Sequence, residues 1–117
     1  MKGSCHCGKI EFFIEVNEED ILKHIYRCDC SLCIKKGIIM KPLLKEKFSL
    51  IQGEEFLNSY KWNKKIAEHF FCNICGVYTH HQRRRDPDQY SVNLGCLEGV
   101  KVPEEKHIHW VDGSSHS

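Results

Sequence analysis

A mainly β fold is predicted for this chain of 117 residues by three observations. Apolar and polar residues alternate over several short stretches. Turn-forming residues break these stretches at short intervals. No long amphipathic helix or internal repeat is evident. The length suits one domain over residues 1–117, with a flexible Ser/His tail from about Gly113. A β-rich chain this small buries a modest core and gains much from a metal staple.

The elements follow in chain order. Lys9 to Val16 sets Ile10, Phe12, Ile14 and Val16 on one face and Glu11, Phe13 and Glu15 on the other, as a half-buried strand requires. Asn17-Glu18-Glu19-Asp20 is a polar break. Ile21 to Arg27 reads as a second strand. Ser31 is placed to cap a short helical turn through about Lys36, with Gly37 as its stop. Ile38 to Met40, Phe48 to Gln52, Phe56 to Trp62, Ile66 to Phe71 and Val77 to Gln82 read as further short strands. Arg83 to Gln89 carries Asp86-Pro87-Asp88 and is a loop, followed by a strand from Tyr90 to Leu94.

Charge and composition narrow the function. Seventeen Lys and Arg against sixteen Asp and Glu leave a net charge of +1, too small a field to draw nucleic acid to the molecule as a whole. No apolar run reaches the length of a membrane span. The start, Met1-Lys2-Gly3-Ser4-Cys5, has no apolar signal region. A cytoplasmic setting is therefore expected, where thiols stay reduced.

Seven of the eight cysteines fall into three tight groups: Cys5 and Cys7; Cys28, Cys30 and Cys33; Cys72 and Cys75. Cysteines one residue apart cannot bridge without strain, but neighbouring thiolates can converge on one ion. In an extended segment residues i and i+2 share a face, so Cys5 and Cys7 can present both sulfurs together. Cys72 to Cys75, followed by Gly76, reads as a knuckle. The two pairs together make a closed zinc site of four thiolates. The triplet makes a site with one position to spare for water, a substrate thiolate or a carbonyl oxygen. A helix starting at Ser31 would favour the Cys33 thiolate through its dipole. Cys96 or a histidine as fourth ligand would instead make the triplet a second structural site.

Three other features carry chemistry. Cys96 lies in an apolar stretch and reads as a buried thiol. His80 and His81 are neighbours on a strand, so one is expected to reach a pocket and the other solvent. Arg83-Arg84-Arg85 reads as a solvated loop that is also able to bind a carboxylate or phosphate.

The motifs Gly3-Ser4-Cys5-His6-Cys7-Gly8, Cys28-x-Cys30-x-x-Cys33 and Phe71-Cys72-Asn73-Ile74-Cys75-Gly76 resemble the glutathione-dependent formaldehyde-activating enzyme family, which includes centromere protein V. The resemblance runs through Asn93-Leu94-Gly95-Cys96-Leu97-Glu98 to Asp112-Gly113. The triplet carries Asp29 where histidine is common in the family. The resemblance implies a β-tent fold of twisted antiparallel sheets and two zinc ions. It assigns Cys5, Cys7, Cys72 and Cys75 to a structural zinc, and Cys28, Cys30 and Cys33 to a catalytic one. The implied activity is condensation of formaldehyde with glutathione to S-(hydroxymethyl)glutathione, a carbon–sulfur lyase reaction in reverse. The competing expectation is a non-catalytic, zinc-stabilised module that binds protein or nucleic acid. A third is a redox or zinc-buffering role for the triplet.

Overall fold

The computed structural model describes residues 1–61 and 67–113. Ten short strands dominate the described residues, with a single α-helix and several 3-10 turns. The predicted fold class is therefore correct: the protein is mainly β.

Strands β1 (Lys2–Ser4), β2 (Glu11–Ile14) and β5 (Phe48–Gln52) form a three-stranded antiparallel sheet in the order β1-β2-β5. The alternation read from the sequence holds in β2 and beside it. Ile10, Phe12 and Ile14 are fully buried, whereas Phe13 faces outward. Each buried side chain of this size contributes about 1.5–3 kcal/mol.

The remaining strands are β3 (Tyr26–Cys28), β4 (Met40–Leu44), β6 (Leu57–Tyr60), β7 (Glu68–Cys72), β8 (Tyr78–Gln82), β9 (Gln89–Asn93) and β10 (His109–Val111). They form a seven-stranded sheet in the order β10-β3-β4-β9-β8-β7-β6. The β10–β3 pairing is parallel and the other pairings are antiparallel.

The expected strand from Ile21 to Arg27 is much shorter. Only Tyr26–Cys28 pairs, and Glu18–Asp20 forms a 3-10 turn. His24 has φ 62°, which an extended strand does not allow. Ile21 and Ile25 instead serve as plugs in the core. The expected strands ending at Trp62 and starting at Ile66 extend into 62–66, outside the described residues. So does the part of the expected tail in 114–117, while Gly113 itself is buried.

Register gives the large sheet two distinct faces. On one, His80 and Tyr90 meet Phe48 of the small sheet, with ring centroids 4.3 and 5.2 Å away. Val92, Leu43 and Phe12 lie in the same core cluster as Ile14, Ile39 and Leu94. On the other face stand Tyr26, Met40 and Tyr78, packed with Cys33 and flanked by Cys28 and Cys30. The cysteine triplet thus sits on the side of the large sheet that turns away from the small one.

β8 is interior to its sheet and covered on both sides, so His80 and His81 are both buried, at 2% and 7% exposure. The expectation that one of them is solvated is wrong for this reason. A bulge adds a second correction to simple alternation. His80 pairs with Phe70 but Tyr78 pairs with Phe71, so Thr79 is the extra residue. The bulge brings Tyr78 onto the same face as His81 and His69.

Candidate metal centres

Two groups of cysteines gather among the described residues. Cys5, Cys7, Cys72 and Cys75 form one; Cys28, Cys30 and Cys33 form the other. Within each group the sulfurs lie within 4.8 Å of one another. All eight cysteines are free of disulfides.

The four-cysteine group is built from two similar turns. In the first, the Cys5 amide donates to the Ile10 carbonyl and the Gly8 amide to the Cys5 carbonyl. In the second, the Cys72 amide donates to Val77 and the Gly76 amide to Cys72. Gly8 and Gly76 close the turns with φ of 81° and 77°, a region that disfavours residues with a Cβ. Cys5 and Cys7 are therefore paired by a turn and not, as expected, by extended backbone.

The sulfur separations match a tetrahedral ion. Cys5 Sγ is 3.6 Å from Cys7 Sγ, which is 3.7 Å from Cys72 Sγ across 65 residues of chain. Zinc–sulfur bonds of about 2.3 Å at tetrahedral angles require sulfurs about 3.8 Å apart. The amides of Ile10 and Ile74 also donate to the sulfurs of Cys5 and Cys72, each at 3.4 Å.

The triplet spans the end of β3 and the start of α1 (Ser31–Lys36). Cys30, not Ser31, is the N-cap, and its sulfur accepts the Cys33 amide at 3.3 Å. The helix start expected to favour the Cys33 thiolate through its dipole instead aims the Cys33 amide at the Cys30 sulfur. Gly37 ends the helix, as read from the sequence. The Cys33 thiol donates to Cys28, which brings the Cys28 thiol down to about 6 and pushes Cys33 up.

Cys96 is not part of the triplet. It is buried in the core at 8% exposure, and burial pushes its thiol up to about 12. This is the packing role read from the sequence. Among the described residues, neither Cys96 nor a histidine joins the triplet as a fourth donor.

The surroundings of the triplet escaped sequence reasoning. Gly113 lies against it: a methyl group there would overlap Cys28 Sγ and come within 3.0 Å of Cys30 Cβ. The Gly113 amide donates to Asp29 Oδ1 at 2.7 Å, and the Asp29 amide to the Val111 carbonyl at 3.2 Å. Lys36 Nζ lies 3.0 Å from His69 Nδ1 and 3.6 Å above the Tyr78 ring. The Tyr78 hydroxyl in turn meets His81 Nδ1. Burial brings the Lys36 ammonium down to about 8 and His69 to about 3. The spacing of Cys33 and Lys36 on a helix was the available signal for Lys36. The pairing of His69 with His81 depends on strand register, which sequence alone did not supply.

A cleft of about 900 Å³ is lined in part by Tyr26, Lys41, Lys47, Arg83 and Val111, and by none of the triplet cysteines. Tyr26 and Val111 also pack around the triplet. Of the three loop arginines at 83–85, Arg83 lines the cleft. Its guanidinium carbon lies 5.2 Å from the Tyr26 ring centroid, and it donates to Gln89 Oε1 at 2.7 Å. Lys41 is nearly buried and donates to the carbonyls of Asp20 and Lys23 at 2.9 and 2.7 Å.

Fold and site together define a small β protein with one four-thiol and one three-thiol cluster suited to metal. The chain belongs to the glutathione-dependent formaldehyde-activating enzyme family, whose model matches residues 1–112. It is also similar to a protein of Rhodobacter sphaeroides of known crystal structure. The two share 39% sequence identity and a TM-score of 0.87, over 95% of this chain and 100% of the other. Among the described residues no helix is long and apolar enough to cross a membrane.

Proposed function

We propose that this protein is a zinc-dependent enzyme that joins a glutathione-like thiol to formaldehyde or another small aldehyde. In the reverse direction it is a carbon–sulfur lyase. The observation that carries this reading is the asymmetry of the clusters: four sulfurs in one, three in the other.

Cys5, Cys7, Cys72 and Cys75 hold a structural zinc. They tie the first turn of the chain to the β7–β8 turn and supply folding free energy. Cys28, Cys30 and Cys33 hold the catalytic zinc. When bound there, zinc supplies Lewis acidity that keeps an incoming thiol ionised near neutral pH. The new bond forms between the thiol sulfur and the aldehyde carbon. The carbonyl π pair moves to oxygen, which takes up the proton released by the thiol.

The chain's own residues shape this reaction. Asp29 and Gly113 hold the end of β10 across the triplet. Tyr26, Met40 and Tyr78 give it an apolar floor that restricts water. Arg83, fixed over Tyr26, offers a planar donor pair for a substrate carboxylate at the cleft.

Saturation-transfer NMR of glutathione mixed with formaldehyde tests the reading. Zinc-loaded protein is expected to speed exchange between glutathione and its hydroxymethyl adduct above the spontaneous rate. Cys30→Ser should return exchange to that rate. Equal exchange with and without wild-type protein would refute the assignment.

A further inference from the structure

Lys36 is a cation in a poor place for one. It is half-buried, and desolvation lowers its affinity for a proton. Among the described residues no carboxylate forms an ion pair with it. The groups that favour its charged form are the triplet sulfurs of Cys33, Cys30 and Cys28 when ionised. Buried charges persist where a counter-charge or strong hydrogen bonds hold them.

The ammonium is held from three directions. On α1, Lys36 follows Cys33 by three residues, so the two share a helix face. From the large sheet, His69 offers Nδ1 at 3.0 Å. Burial keeps His69 neutral, and because the ammonium can only donate, Nδ1 is the acceptor; the Tyr78 hydroxyl lies 3.1 Å from the same nitrogen. Below it lies the Tyr78 ring, 3.6 Å from Nζ, the arrangement of a cation–π contact. Tyr78 packs against Cys33 and is itself anchored by His81. The bulge at Thr79 is what brings Tyr78 to this face. Three elements, α1, β7 and β8, converge to fix one charge beside the triplet.

We propose that Lys36 is the charge-balancing residue of the triplet site, where its ammonium stabilises the added negative charge of an incoming thiolate. The proposal rests on the functional reading above. A divalent ion with three thiolates carries one net negative charge, and a fourth thiolate raises this to two. A fixed cation nearby offsets that increase and leaves the binding of a neutral ligand largely unaffected. His69 and Tyr78 act through Lys36 and are positioning residues.

The test uses cobalt-loaded full-length protein titrated with two ligands, 2-mercaptoethanol and imidazole, followed by visible absorption. Lys36→Met is expected to weaken mercaptoethanol binding on the order of tenfold, with imidazole binding nearly unchanged. Lys36→Arg should restore most of the thiol affinity, because it restores the charge. His69→Phe, which removes the acceptor, should fall between wild type and Lys36→Met, and serves if Lys36→Met does not fold. Equal loss of both ligands would assign Lys36 a purely structural role and overturn the proposal. So would thiol binding that none of the variants alters. A wild-type protein that takes up cobalt at both clusters and ignores mercaptoethanol would overturn the open-site reading and this inference with it.

Discussion

The Gly113 amide donates a 2.7 Å hydrogen bond to the Asp29 carboxylate, and this bond lays the chain leaving β10 across the cysteine triplet. Gly113 fits because it has no Cβ, since a methyl group would overlap Cys28 Sγ. Gly113→Ala should therefore displace Cys28 and release metal from the triplet. The four-cysteine site is remote in sequence from this contact and should keep its zinc. Zinc analysis with a thermal melt checks this: about half the metal lost, with the cooperative transition retained. Full zinc retention would mean that the strap yields readily.

The two clusters should respond differently to cysteine loss. Cys72→Ser removes one of four ligands from the site that joins the Cys5 turn to the Cys72 turn. It should cost about 5 kcal/mol or more and leave little folded protein. Cys30→Ser should release only the triplet's metal and leave the strand signal in far-UV circular dichroism unchanged. Equal unfolding by both would make the triplet structural.

His80 makes acid stability predictable. It is buried among Phe48, Phe70 and Tyr90, and burial lowers its pKa to about 3. The unfolded chain protonates this histidine below about pH 6.5, while the folded chain resists until about 3. The unfolded state thus binds more protons in that window, and stability falls as pH drops through it. The slope is about 1.4 kcal/mol per pH unit for one such group. Between pH 7 and pH 5, His80→Phe should lose roughly 2 kcal/mol less than wild type in urea titrations. Identical losses would mean that His80 does not contribute to the acid transition.

Much of this was legible in the sequence. Cysteine spacing is a local property, so it announced both clusters before any tertiary contact was known. Period-two alternation placed Ile10, Phe12 and Ile14 in the core. What escaped depends on distant strands. The parallel β10–β3 pairing brings Val111 and Gly113 to the triplet from more than eighty residues away. The bulge at Thr79 breaks alternation with no glycine to mark it. Burial of both His80 and His81 follows from the interior position of β8, which strand order alone decides. Similarly, three successive arginines look alike in sequence, and only the folded chain sets Arg83 over Tyr26 at the cleft.

That last distinction is testable by kinetics. Arg83→Ala should raise the KM for glutathione about tenfold, if its guanidinium meets a substrate carboxylate. Arg84→Ala should stay within about twofold of wild type, since Arg84 does not line the cleft. The reverse order of effects would move the carboxylate site off Arg83.

The central claim is that the triplet leaves one coordination position for a substrate sulfur. Selenium and zinc X-ray absorption on zinc-loaded protein with a small selenol in place of the thiol addresses it directly. The account predicts a zinc–selenium bond in wild type that vanishes in Cys30→Ser, while the four-cysteine site stays all-sulfur. Zinc bound at Cys28, Cys30 and Cys33 with no selenium neighbour, at saturating selenol, would contradict it.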